Sequence, residues 1–458
     1  MFSLVFVFVF LVITGGLLSI ASVQRMAALR EQWRIQAFHI AEAGLNYYRW
    51  HLAHEPEDFV NDTGEHAYTD PYAGEIGVFS IEVIPPQIGS SIVTIRSTGW
   101  SHQHPNVKKI IEARYGIRSL TDFAFITNSN VWFGQDEEVR GEIHSNGGIR
   151  MDGQGDSLMT SAKLTYICGT EHGCDNEEKP GIWGTGEKPE LWDFPVDDFD
   201  FGAVALDLQT MKTEAKASGF YIGDSGAEGY RLELLNTGKF NLYKVTRLQN
   251  PVWGYDGTDW VYTSHSIRST SAIREYQNVP LPANGLMFIE DELWVDGTTK
   301  GKLTVVAARL PDDLTPDASL FINGNTTYPA KDGSSTLGLI AQGDILIPLY
   351  SPDKLEIDAA LLAQKGHVFR YLYPGPPWGW NSPPYSTYAV RSKIETYGSV
   401  ISNGIWTWSW VDSEEGPVIS GYQTSETSYD PHLTFGPPPF FPTTGEYTFI
   451  SWEEKPPN

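Results

Sequence analysis

The chain has 458 residues, enough for two to four domains at roughly 150 residues each. Only 19% of them are charged, while 44 are Gly, 29 are Pro and 13% are aromatic, a balance that suits β structure with many turns and argues against a helical bundle or a disordered chain. Fifty-seven acidic against 32 basic residues give a net charge of −25. The basic footprint of a nucleic-acid-binding protein is therefore missing, and no nucleic acid specificity is evident.

From Met1 to Val23 no residue is charged, and the first charge is Arg25. At 1.5 Å per residue such a stretch spans a hydrocarbon core of roughly 30 Å. Helical composition continues to the first proline, Pro56. The sequence thus predicts one helix over residues 1–54. Its first half is apolar all round (Phe2, Leu4, Val5, Phe6, Phe8, Phe10, Leu11, Ile13, Leu17, Leu18, Ile20). Its second half is amphipathic, with Leu29, Trp33, Phe38, Ile40, Leu45, Tyr48 and Leu52 available for a packed face. Gly15 and Gly16 are poor helix formers, at about 1 kcal/mol each, and are expected to form a joint where the helix unwinds. A cleaved secretory signal needs a basic segment before the apolar run, and a plain anchor needs basic residues on its cytoplasmic side. The nearby basic residues, Arg25, Arg30 and Arg34, all follow the span. A mature N-terminus left by removal of a short basic leader explains the missing charge and the unbroken helix together, and is the expectation here.

After Pro56 a polar, turn-rich stretch leads to three alternating segments, 77–84, 91–97 and 107–115. They read as an antiparallel meander over residues 55–119, with the amphipathic half of the helix covering its apolar face. Residues 120–458 read as a larger β-rich head with partial self-similarity. Residues 141–147 (GEIHSNG) echo 398–404 (GSVISNG), and 339–345 (LIAQGDI) echo 361–368 (LLAQKGHV). Leu303–Ala308 adds a similar run. Such segments suggest stacked coils of a β-helix, with small residues inside and Gly at the corners. Their uneven spacing leaves a β-sandwich open. A helix is expected around 206–217, an ordered aromatic-proline loop over 373–380, and a rigid extended crossing over 437–442. The expected class is α+β, mainly β.

Candidate sites are few. Cys168 and Cys174, six residues apart, form a small disulfide in an oxidising compartment or remain free thiols. With His172 they supply three of the four ligands that a structural zinc needs. Asp152 and Asp156, in DGQGD, are a weak calcium candidate against an ordinary turn. His102 and His104 read as a solvated turn. Gly223–Gly226 (GDSG) resembles a protease nucleophile loop but lacks the histidine segment that a triad needs. Trp406, Trp408 and Trp410 alternate, so on a strand they share one face. That face suits core packing, a subunit contact or a carbohydrate platform. No catalytic constellation can be assembled, and no cofactor is implied beyond the weak calcium candidate.

An apolar half-helix, an amphipathic continuation and a β-rich head together resemble a type IV pilin. The run Ala41-Glu42-Ala43-Gly44-Leu45-Asn46-Tyr47-Tyr48 is similar to the corresponding stretch of PilX N-terminal-type pilin-like proteins. The whole chain, through TFGPPPFFPTTGEYTFISWEE, is similar to large pilin-like surface proteins of candidate phyla radiation bacteria. The resemblance implies a non-enzymatic structural subunit, anchored in the cytoplasmic membrane and cut by a prepilin peptidase to leave a methylated N-terminus. An assembly machinery would then polymerise it with copies of itself into a cell-surface filament. Pilins usually carry Glu at the fifth mature position, where this chain has Val5, or Phe6 if Phe2 is first, a departure that resembles minor, tip-type subunits. The alternative is a membrane-tethered monomeric adhesin whose head binds glycans.

Overall fold

The computed structural model describes residues 2–199, 201, 208–312, 316–374, 385–412 and 416–456. It divides into two compact units, one of residues 1–87, 91–117 and 445–458, the other of residues 88–90 and 118–444.

The first unit is a long helix on an antiparallel sheet. Helix α1 runs unbroken over Phe2–His54. Strands β1 (Gly64–Asp70), β2 (Gly74–Ile84), β3 (Ile92–Ser101) and β4 (Lys109–Ser119) follow in sheet order, and the C-terminal strand Thr443–Lys455 adds to β4. The expected meander is therefore one strand short at each side. β1, GEHAYTD, is half-buried at alternate positions but too polar to signal a strand. The C-terminal strand lies in this sheet rather than in the head, where residues up to 458 were expected. Its partner is more than 300 residues away in sequence, so no local pattern could give the pairing.

One stripe of α1 fits this sheet. Ala37, Ile40, Ala41, Gly44, Leu45, Tyr48, His51 and Leu52 are buried, at spacings of three and four. They meet Phe79, Ile81, Val93, Ile95, Ile111, Ala113 and Tyr115. Of the expected packed face, Leu29 and Trp33 are only half-buried, and Trp33 stacks on His104 at 3.7 Å between ring centroids. Small residues set the depth of this contact. A Cβ on Gly99 would lie 2.3 Å from the Ala41 nitrogen and 2.5 Å from the Ala37 carbonyl oxygen. A Cβ on Gly44 would lie 2.3 Å from Ser97 Oγ. Helix backbone thus approaches strand backbone where Ala37 and Ala41 meet Gly99, and Gly44 makes room for the side chains of Ser97 and Phe79.

The second unit is a parallel β-solenoid, which decides between the helix-like and sandwich readings. One face stacks Phe220–Ile222, Leu286–Ile289, Lys302–Ala307, Thr336–Ala341, 360–363, 399–402, 125–127, 143–145, 159–161 and Trp192–Asp193 in parallel register. The echoed segments are its rungs. Leu339, Ile340 and Ala341 pair with Leu361, Leu362 and Ala363. Val400–Ser402 and Ile143–Ser145 flank Phe125–Thr127 from its two sides. Their Ser-Asn-Gly ends turn one corner, where Asn146 Nδ2 donates to Asn128 Oδ1 (2.8 Å) and Asn128 Nδ2 to Asn403 Oδ1 (3.0 Å). Alternate side chains fill the interior, among them Leu303, Val305, Ala307, Leu339, Ala341, Leu361 and Ala363.

The order of rungs is permuted relative to the chain. The solenoid starts in its middle at Phe125, runs to one end at Asp193, and resumes at the opposite end at Phe220. It then returns rung by rung until 399–402 pairs with 125–127. Outward apolar residues of this face (Leu286, Phe288, Val306, Ile340, Leu362, Ile401) are covered by helix α2 (Leu208–Ser218) and by Leu433 and Phe441. The 437–442 stretch is a crossing laid against the rungs. A Cβ on Gly338 would lie 2.7 Å from the Phe441 ring, and the Thr304 hydroxyl donates to the Pro439 carbonyl. Of the expected helix, residues 206 and 207 lie outside the described set, as do 375–380 of the aromatic-proline loop.

Two consequences are measurable. Gly99→Val should lower the stability of the first unit by about 1–3 kcal/mol, because the helix must move off the sheet; a thermal melt of the full chain should show one transition shifted down and the solenoid transition unmoved. The second concerns His265, stacked between Phe321 and Tyr371 with ring centroids 5.2 Å away on each side. Desolvation there pulls its pKa from 6.5 down to about 4. The folded state therefore binds fewer protons than the unfolded state between these values, so stability falls as pH drops from about 6.5 toward 4. Denaturation across that range should show a loss on the order of 1–3 kcal/mol that His265→Phe makes shallower.

Candidate assembly site on the N-terminal helix

The apolar half of α1 leaves its side chains uncovered. Twelve large apolar residues between Phe6 and Val23 are exposed, from 47% at Val9 to 74% at Phe6. Phe8, Phe10, Leu11, Ile13, Leu17, Leu18 and Ile20 are among them. The backbone at Phe2, Leu4 and Val5 is helical, and their side chains lie outside the described residues. The hydroxyl of Thr14 donates to the Phe10 carbonyl at 2.7 Å, so it does not interrupt the apolar surface. The helix is long and apolar enough to cross a membrane. At about 1.5–3 kcal/mol per large side chain, leaving this surface in water costs on the order of tens of kcal/mol. In this structure α1 continues as regular helix through Gly15 and Gly16, where a Cβ would meet nothing within 4 Å.

The other candidate residues fall elsewhere. Cys168 and Cys174 form a disulfide, which removes both thiols from any zinc site. His172 lies in the loop that they close, and its carbonyl accepts from Arg150 Nη1 at 2.8 Å. Arg150 is buried between the rings of Trp132 and Trp183, 4.4 and 4.9 Å from their centroids. Its Nε donates to Asp152 Oδ2 at 2.7 Å. Asp152 also accepts from Trp132 Nε1 and the Thr185 amide, each at 2.9 Å. Of the two calcium candidates, Asp152 is the counter-ion of Arg150, and Asp156 accepts from the Gly141 amide and the Ser157 hydroxyl. Among the described residues no group of three or more His, Cys, Asp or Glu could hold a metal ion.

Trp406, Trp408 and Trp410 do not form one face. Trp406 and Trp408 are buried in the solenoid interior, whereas Trp410 lies half-buried beside Tyr255, with its Nε1 donating to the Arg370 carbonyl. The chain bends between the short strands 406–407 and 409–411, so the alternation expected of a single strand fails. In the GDSG loop the Ser225 amide donates to Asp291, and the Gly226 amide donates to Asp224, as in a turn. His102 contacts Glu75 at 2.9 Å, and His104 covers Trp33.

Two surfaces escaped the sequence reading. The hairpin 252–255/260–263 turns Trp253, Tyr255, Trp260 and Tyr262 to one side, a pattern visible as alternation in hindsight. An open cleft of about 750 Å³ is lined by Asn128, Asn130, Asn146, Lys163, Asp198 and Phe199 among others. It arises from corner stacking between rungs, which no local motif announces.

No known family model matches the chain, and no curated protein matches it. Among solved structures it is similar to the competence-associated pilin ComZ from Thermus thermophilus, at 13% sequence identity over 93% of this chain and 98% of that one, with a TM-score of 0.32. The class defined by the fold itself is a long, half-bare apolar helix on an antiparallel sheet, followed by a large β-rich body.

The Arg150 arrangement makes a stability test. Arg150→Met leaves Asp152 buried without its counter-ion and should cost about 3–5 kcal/mol. Arg150→Met with Asp152→Asn should recover a large part of that loss. A double-mutant cycle from denaturant unfolding measures the coupling.

Proposed function

We propose that this protein is a structural subunit of a type IV pilus-like extracellular filament, built through its N-terminal helix and carrying the β-rich body outward. The observation that supports this most is the bare, uncharged surface from Phe6 to Val23 on the same unbroken helix whose 37–52 stripe is fixed to a folded sheet. Such a surface has three kinds of cover: lipid, detergent or copies of itself. Only copies leave the membrane with it. In this reading the cytoplasmic membrane holds the subunit before assembly, and a prepilin peptidase and pilus assembly machinery act on it. The head then lies at the cell surface in a polymer of identical chains. The role is one of geometry rather than catalysis. Gly15 and Gly16 serve as the joint at which the helix loosens during extraction or in the filament. The 41–48 run supports the finer placement with PilX N-terminal-type proteins and the large pilin-like proteins of candidate phyla radiation bacteria.

Deleting Met1–Gln24 should give a soluble, folded monomer with no filaments. Val12→Asp should block assembly, since an unpaired carboxylate in such an interface costs several kcal/mol. Electron microscopy and sedimentation of sheared surface material are the measurements. Filaments that survive the deletion would show that the body polymerises alone. Glycan binding by cells that shed no filaments would favour the tethered adhesin instead.

A further inference from the structure

The half-bare helix does not end its exposed apolar surface at Val23. Twelve residues further on, Ile35 is 49% exposed. One turn later Phe38, half-buried at the rim of the helix–sheet core, meets Trp452 of the C-terminal strand with ring centroids 6.2 Å apart. Trp452 is itself 54% exposed, and nearby Phe449, which lies against Tyr115, is 56% exposed. All of these residues belong to the first unit. The next position on the same helical stripe is Glu42, exposed and in contact with His39 at 3.4 Å. Ile35, Phe38 and Glu42 thus stand at i, i+3 and i+7, an apolar pair ending in an anion.

The bare half of the helix carries the matching series. Leu18, Ala21 and Arg25 have the same i, i+3, i+7 spacing, and all three are exposed. A parallel copy shifted by 17 residues, about 25 Å, sets Leu18 on Ile35, Ala21 on Phe38 and Arg25 on Glu42. A small side chain then faces a large one, and a cation faces an anion. Copies inserted in one membrane share an orientation, so a parallel arrangement is the one available to them.

We infer that Ile35, Phe38 and Trp452 form the docking surface for the Leu18–Arg25 segment of a second copy of this chain, with Arg25 of one subunit paired to Glu42 of the next. The inference rests on the filament reading and specifies its register. Lipid is the poorer occupant. With Phe6–Val23 in the hydrocarbon core, Ile35 lies about 18 Å past its edge, beyond Arg25, Arg30 and Arg34. The sign of charge agrees as well. Residues 24–35 hold three Arg and one Glu in a chain of net charge −25, so this segment is attracted to the acidic remainder of a neighbour.

The test uses the full chain in cells that display it, with filaments sheared, pelleted and imaged. Arg25→Glu and Glu42→Arg should each remove most of the sedimentable filament, and the two together should restore it. Both positions are exposed, so thermal unfolding of the variants should match the parent. Singles that polymerise like the parent, or a double variant no better than either single, would overturn the inference. A second, independent arm uses cysteines, since the two native ones are joined to each other. Ser22→Cys combined with Trp452→Cys should give covalent multimers in oxidised filaments. Filaments without such cross-links would refute the register while leaving the filament reading intact. A parent chain that forms no filaments defeats that reading, and the docking surface with it.

Discussion

One constraint governs this molecule: the surface from Phe6 to Val23 is not stable in water. A cost on the order of tens of kcal/mol exceeds the 5–15 kcal/mol by which a domain is ordinarily stable, so folding of the rest cannot offset it. The segment must always be covered by something other than solvent. The structure responds by dividing one helix between two environments. Residues 37–52 are committed to the sheet, and residues 6–23 are left for another partner. The bare stretch and the fixed stripe are thus parts of one continuous helix. That fixation depends on close backbone approach at Gly99, Ala37 and Ala41 and on the room that Gly44 leaves for Ser97 and Phe79, where larger residues would lift the helix away.

The solenoid meets a different demand. Parallel rungs have edges at both ends, and an uncovered edge invites association. At one end a second face, Leu293–Thr298, is continued by an antiparallel ribbon, 229–235, 239–248 and 267–272, so that its edge is paired within the chain. The permuted order places both chain passages at the middle of the stack. There Asp122 accepts from the Tyr429 and Thr434 hydroxyls at 3.0 and 2.9 Å, and the Ser119 amide donates to the Thr434 carbonyl at 3.2 Å. The chain enters and leaves where it is flanked by rungs on both sides rather than at a fraying end.

Local signals were legible and distant ones were not. Uninterrupted apolarity predicted α1, period-2 alternation predicted β2 to β4, and the two echoed pairs fell on equivalent rungs. Their signals are contained in consecutive residues. The pairing of the C-terminal strand with β4 was not legible, because nothing in TTGEYTFISWEEK specifies which sheet it joins. The tryptophans at 406, 408 and 410 misled for a related reason: alternation fixes a common face only if the strand is straight, and here it bends at Trp408. Asp152 looked like a cation ligand because its sequence neighbours are flexible glycines. In the fold it pairs with Arg150, held two residues away by a parallel rung and two indole rings. The disulfide needed only proximity in sequence and an oxidising setting to be foreseen.

Charge closes the argument about which part of the chain can drive association. A net charge of −25 makes copies repel. At physiological ionic strength that repulsion is screened over about 8 Å, so it acts mainly between head surfaces that come close. Apolar cover of the helix is of even shorter range but far larger per contact, and Arg25, Arg30 and Arg34 place the only basic-rich stretch of α1 directly beside it. Association through the helices therefore gains where it is strongest. Association through the heads meets the repulsion of their acidic residues. A bare, uncharged stretch of helix and an acidic body thus differ in which interaction each can offer.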